Sequence, residues 1–359
     1  MIYSCADEVS LIFHPVFQLL TGLSVAASIA AYVFLGVFLI KFARNIFWHI
    51  NIKLLFFFNM IISFGLATVT VVNFFALWYR MIWKKESCEY VIQLKDCFYI
   101  RAFFLGFFCL IPLNHVAMNF ERFWATIRLS KYEKSNSILG ISLIFIMIFV
   151  ATLIVYLVML PEDFTEYAPT CLSFSATRIG NNIYFLFISQ VSMEALMILV
   201  LQLLVYFNKK RKLDSHDQNL SKKFQRNENL AVLQQIGPLI IITAAVIGGY
   251  NLVALVIRPF RDHFTKNHYI ILVFGIFIIP YLPFLLTYFS YRTIQKHLKD
   301  REVLAKQAVE IDVIANANFS NDQLLWDTYY IAKYGKKEPK VSTVRCWKKY
   351  FSNRIEKHQ

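Results

Sequence analysis

Apolar residues in this chain gather into seven long runs separated by polar connections. The runs cover residues 17–40, 52–79, 97–120, 138–160, 182–207, 235–257 and 269–289. A helix rising 1.5 Å per residue needs about 20 residues to cross the roughly 30 Å hydrocarbon core of a bilayer. Every run is long enough. The runs are continuous rather than alternating, which selects helices over barrel strands, because only helices and closed barrels satisfy the backbone in lipid. The pattern predicts an all-α membrane protein, a seven-transmembrane helical bundle over residues 17–289. Residues 1–16 precede it and a basic tail, 290–359, follows. No internal repeat, low-complexity linker or second folded domain is visible.

Composition agrees. Hydrophobic residues make up 57% and charged residues 17% of the chain, and soluble domains carry about a quarter charged. Of the 37 Lys and Arg residues, 28 fall on one set of alternate connections together with the tail. Nine fall on the other set, and residues 1–16 carry none. The positive-inside rule then expects the N-terminus outside and the C-terminus in the cytosol. The net charge of +14 is therefore mostly cytoplasmic, where anionic lipids attract it and no nucleic acid is needed to explain it. Met1–Pro15 lacks a basic stretch before its apolar residues, so the first spanning helix is expected to act as the targeting signal. Two sequons, at Asn219 and Asn318, fall on the cytosolic side and read as chance matches.

On this topology Cys5, Cys88, Cys97 and Cys171 face outside, where disulfides persist. Four cysteines allow three pairings. Cys97 with Cys171 would tether the second outer loop over the bundle, leaving Cys5 with Cys88. Cys109 falls in mid-membrane and Cys346 in the tail, where palmitoylation is one reading.

Cys97 opens the third run and Arg122 stands 25 residues on, just past its end, about 37 Å as a helix and enough to reach both interfaces. That spacing resembles G-protein-coupled receptors. Two stretches narrow the likeness: Phe47-Trp48-His49-Ile50-Asn51-Ile52-Lys53-Leu54-Leu55, opening the second run, and Phe120-Glu121-Arg122-Phe123-Trp124-Ala125-Thr126 with Tyr132-Glu133-Lys134-Ser135, leaving the third. They resemble nematode chemosensory receptors of the serpentine class alpha superfamily, most of all its alpha/beta branch. Rhodopsin-like landmarks are missing. The second run has Asn59 where such receptors carry Asp, and the seventh reads Pro280-Tyr281-Leu282-Pro283 without Lys.

The resemblance implies that Glu121, Arg122, Ala125 and Thr126 form the switch that meets a heterotrimeric G protein. A charged pair snorkelling at a helix end is the plainer alternative. Glu228 is a candidate partner for Arg122. Lys209, Lys210, Arg211, Lys212, Lys222 and Lys223 read first as positive-inside residues touching the lipid bilayer, and by resemblance as G-protein contacts. Ile294 and Leu298 suit a short amphipathic helix within Tyr291–Lys306.

Polar residues inside a membrane are functional candidates by default. Glu194 is the one acid in a membrane centre; Asn114, His115 and Asn251 stand with it, as packing bonds, ligand contacts or a relay. Arg101, one turn below Cys97, either anchors an acidic ligand or reaches lipid phosphates. Phe104 and Phe108 continue its face as candidate pocket walls. The partners expected are a small-molecule ligand, environmental or pheromone-like, a G protein and the bilayer; a receptor oligomer is also admitted. The resemblance places the chain in the plasma membrane of sensory-neuron cilia. No metal-ligand spacing, phosphate loop or nucleophile elbow points to an enzyme or cofactor. A seven-helix ligand-gated ion channel or transporter is the rival class. Insect odorant channels run with the opposite orientation, and transporters show paired broken helices or repeats that are not visible here.

Overall fold

Seven apolar helices form the molecule, seen in a computed structural model that describes residues 5–42, 48–84, 89–128, 132, 136–161, 167–168, 170–172, 180–214, 220–264, 266–296, 298–299 and 303. Side chains are described at these positions except 5–8, 42, 167, 180–181, 211–214, 220–225, 261–262, 266–267 and 270. The spans are Pro15–Lys41, Ile50–Trp83, Phe98–Ile127, Ile138–Met159, Asn182–Lys210, Arg226–Phe260 and Ile271–Lys296, the first to the seventh helix. All but the final residue of the seventh, Lys296, belong to one unit, Met1–Gln295. In a second unit, Lys296–Gln359, the described residues Lys296, Leu298, Lys299 and Val303 are helical. The Cys5–Cys88 pairing, the sequon acceptors Asn219 and Asn318, Cys346 and nearly all of the tail lie outside the described residues.

Several helices outrun the apolar segments that announced them. The third continues to Ile127, the fifth to Asp214, and the sixth starts at Leu220. Hydropathy marks where a helix meets lipid. Backbone hydrogen bonding carries on beyond that point, because water solvates the polar side chains there. A further short helix, Cys5–Ile12, precedes the first span and tucks Leu11 and Ile12 into the core.

The seventh span corrects the expectation of one continuous helix over 269–289. Helix Lys266–Gly275 stops, a 3₁₀ turn covers Ile279–Tyr281, and helix resumes over 282–296. Pro280 has no N–H for the Ile276 carbonyl, and its ring would collide with that carbonyl in a continuous helix. The carbonyl instead accepts from the Ile278 N–H at 2.8 Å. Irregular backbone at membrane depth is tolerated where protein covers it, and Phe277, Ile279 and Pro280 are buried.

The third helix is the hub, packed against the second, fourth, fifth and sixth. Its polar residues explain why. Arg101, Asn114, His115, Asn119, Glu121, Arg122 and Thr126 are all buried, and lipid would leave their polar groups unsatisfied. The fourth helix, almost wholly apolar, is the most lipid-facing.

At one end of the bundle Cys97 is bonded to Cys171 with a Cα separation of 5.1 Å. Two short segments pair beside it, Ile92 opposite Ala168 and Gln93 opposite Tyr167. The Cys171 N–H also donates to Asn73 Oδ1 of the second helix at 3.0 Å. The bridge closes a loop of 74 residues, for which chain entropy gives about 4.5 kcal/mol. That is an upper limit, since membrane insertion already restricts the opened chain. Cys97→Ser is therefore expected to cut surface expression severely, while Cys109→Ser, a buried free thiol, changes it little. Surface biotinylation of both variants checks this; equal effects would contradict the role of the bridge.

Candidate functional site

At the end opposite the disulfide, Glu121, Arg122, Ala125 and Thr126 are buried together on the third helix. Arg122 donates from Nε to Glu121 Oε2 at 2.5 Å and from Nη2 to Glu121 Oε1 at 2.6 Å. The Tyr132 hydroxyl accepts from Arg122 Nη2 at 3.1 Å and donates to Glu121. A buried guanidinium and carboxylate thus neutralise one another, and the planar fork of Arg suits this two-point pairing. The third direction leads out of the helix: Nη1 donates to Asn229 Oδ1 on the sixth helix at 2.9 Å. The Thr126 hydroxyl donates to the Arg122 carbonyl at 2.8 Å and accepts from Asn208 Nδ2 of the fifth helix at 3.1 Å.

Glu228 was the sequence candidate for Arg122. The sixth-helix partner is its neighbour, Asn229. Looking for an opposite charge passed over a neutral amide, because the charge requirement is already met by Glu121 on the same helix.

The residues that open the second helix hold this cluster. Trp48 Nε1 donates to Gln235 Oε1 of the sixth helix at 2.8 Å, and the His49 ring lies 4.1 Å from the Tyr132 ring. Asn51 Oδ1 accepts from the Gly140 N–H of the fourth helix at 3.1 Å. A Cβ at Gly140 would sit 3.1 Å from Asn51 Cα, a tight approach that a larger residue would make only if the neighbouring backbone gave by a few tenths of an ångström. Lys209 and Lys210 are exposed at the end of the fifth helix. Arg211, Lys212, Lys222 and Lys223 lie on helical backbone, but their side chains are outside those described.

In mid-membrane, His115 Nδ1 lies 3.2 Å from both oxygens of Glu194, joining the third and fifth helices. Both side chains are buried. Asn251 Nδ2 of the sixth helix donates to Gln190 Oε1 of the fifth at 2.9 Å, and Asn119 Nδ2 to the Met197 carbonyl at 3.4 Å. Asn114 is buried, and neither polar atom of its side chain has a partner among the described residues. Gln190 and Asn208 escaped sequence reasoning. The signal was present, since Gln190, Glu194, Met197, Leu201, Leu204 and Asn208 repeat at spacings of four and three and form one buried stripe.

Toward the disulfide, aromatic rings from five helices meet. Phe104 lies 5.7 Å from Phe277, and Phe108 lies 6.4 Å from Tyr250. Tyr250 lies 5.8 Å from Phe187 and 5.6 Å from Phe277, while Phe274 reaches Phe17 of the first helix at 4.8 Å. Such separations suit edge-to-face contact. Phe104 and Phe108 therefore face the bundle. Arg101 is 0% exposed, so protein covers it and it does not extend outward to lipid phosphates.

Residues 10–322 match the family described as serpentine-type seven-transmembrane G-protein-coupled receptor class ab chemoreceptors. The chain is also 30% identical over 336 residues to serpentine receptor class alpha-39 of Caenorhabditis elegans, an alignment covering 91% of this chain and 87% of that protein. The seven spanning helices, the cysteine bridge and the Glu-Arg run of the third helix all lie within the matched residues. This multi-pass membrane protein thus belongs to the serpentine class ab family of seven-transmembrane chemoreceptors.

Proposed function

We propose that the chain is a chemosensory receptor that binds an environmental or pheromone-like small molecule near the disulfide end and activates a heterotrimeric G protein at the arginine end. One observation carries this reading: Arg122, buried and bonded to Glu121, Tyr132 and Asn229, ties the third helix to the sixth. In the ligand-free state that tie keeps the cytosolic face closed. Ligand binding among the aromatic residues repacks the fifth and sixth helices. Two contacts can carry that motion across the membrane, Glu194 with His115 and Gln190 with Asn251. Separation of the sixth helix then frees Arg122, and the basic residues Lys209 and Lys210 flank the exposed surface. Arg122 cannot do this as a charge snorkelling into lipid headgroups, because it is 2% exposed.

The N-terminus lies outside and the C-terminus in the cytosol of a plasma membrane, in the sensory cilia where such receptors serve. Epitope labelling of intact cells is expected to reveal an N-terminal tag and not a C-terminal one.

The direct test is a ligand screen in cells co-expressing a promiscuous G protein. A ligand-evoked signal is expected, and Arg122→Leu is expected to abolish it at equal surface expression. A ligand-evoked current that persists without any G protein would establish the channel alternative instead.

A further inference from the structure

Among the buried ionisable side chains of the described residues, Glu121 meets Arg122 and Glu194 meets His115. Arg258, at the disulfide end of the sixth helix, is 9% exposed, and its Nη1 has no hydrogen-bond partner among the described residues. Its guanidinium carbon lies 5.1 Å from the Phe187 ring centroid and 5.7 Å from that of Tyr184. Contacts of this kind are cation–π interactions, and a ring is no substitute for a hydrogen-bond acceptor. Nη1, one of the donors with which Arg forks onto carboxylates, is left without an acceptor among the described residues. A buried donor left unmade is unfavourable, so the site is built for an acceptor.

The two facing helices place this cation above an aromatic floor. Tyr250, Ala254 and Arg258 follow one stripe of the sixth helix, and Arg101, Phe104 and Phe108 follow one stripe of the third. The stripes meet at the Phe108–Tyr250 contact. Arg101 is seven residues above Phe108 and Arg258 eight above Tyr250, so both guanidinium-bearing residues stand about 11 Å above the floor. Ala254, buried between Tyr250 and Arg258, adds no bulk to that wall.

We infer that the ligand of this receptor is an amphipathic organic anion, whose acidic group binds the N–H edge of Arg258 and whose apolar body rests on Phe187, Tyr250 and Phe277. The inference deepens the receptor reading and rests on it for the word ligand, while the binding chemistry is independent of G-protein coupling. Such an anion arrives from water or from the bilayer, as a soluble short-chain acid or a membrane fatty acid.

The test melts purified receptor in lipid nanodiscs with octanoate, octan-1-ol or octylammonium, and separately with palmitate supplied in the bilayer. Octanoate, palmitate or both should raise Tm; the one that does identifies the source. Octan-1-ol and octylammonium should not raise it. In Arg258→Gln the apparent Kd for the effective acid should weaken at least tenfold, with Arg258→Lys between the two. Equal shifts from the alcohol or the ammonium, no shift from either acid, or an unchanged Kd in Arg258→Gln would overturn the inference. Selectivity among the probes in the unaltered receptor decides the matter even where a variant fails to fold. Acid-dependent melting without any signalling would sink the receptor reading alone.

Discussion

Asn229→Leu is expected to raise ligand-independent signalling about tenfold. A hydrogen bond to a charged group contributes about 1.5–3 kcal/mol, and each 1.4 kcal/mol is about a tenfold change in an equilibrium. The bond from Arg122 to Asn229 differs from its companion to Glu121 in one respect. Glu121 sits on the same helix and stays within reach whatever the sixth helix does. Asn229 is in reach only while the two helices are together. Its loss therefore shifts the balance between closed and open arrangements instead of weakening both. Guanine-nucleotide exchange in membranes containing equal amounts of receptor checks the prediction. Unchanged basal exchange in Asn229→Leu would show that this bond does not hold the receptor shut.

The second large effect is expected in mid-membrane. His115→Leu takes away the partner that the Glu194 carboxyl has among the described residues, and removing one member of a buried ion pair costs about 3–5 kcal/mol. A neutral hydrogen bond between helices in a membrane contributes far less, about 0.6 kcal/mol on average. The two magnitudes separate the states of the pair. A double-mutant cycle on His115→Leu and Glu194→Leu, read by thermal unfolding, is expected to give a coupling energy above about 2 kcal/mol, as an ionic contact requires. A coupling near 0.6 kcal/mol would assign the contact a neutral packing role. In the signalling assay, His115→Leu should also raise the half-maximal ligand concentration at least tenfold, since the contact joins the third helix to the fifth.

Much of the architecture was legible in the chain because lipid leaves few choices. A continuous apolar run of this length has to be a helix, and seven runs have to form a bundle. The break at Pro280 was less legible: Pro112 and Pro238 lie inside helices that continue, so a proline in a span does not announce its own outcome. The paired segments at Ile92 and Tyr167 carry no signal either, because two residues have no period.

The candidate site shows the same division. Asn114, His115, Glu194 and Asn251 were marked by polarity inside apolar runs, and Glu121 and Arg122 by the resemblance just past the end of the third; the structure brings each but Asn114 against a polar partner. Which partner was not legible. Asn229, Gln235 and Tyr132 lie outside or at the edges of the apolar runs, where polar residues are ordinary. Trp48, His49 and Asn51 entered as a family resemblance alone. Their contacts with Gln235, Tyr132 and Gly140 now supply the physical reason for that run.

The central claim is that the Arg122–Asn229 tie closes the surface used by the G protein. It is tested most directly by a distance between the third and sixth helices. Spin labels at Ile127 and Asn227, both exposed, flank the tie without belonging to it. Pulsed electron resonance on the purified receptor should give one short distance when it stands alone. That distance should widen by several ångströms when nucleotide-free G protein is bound. A G-protein complex in which it stays unchanged would contradict the account.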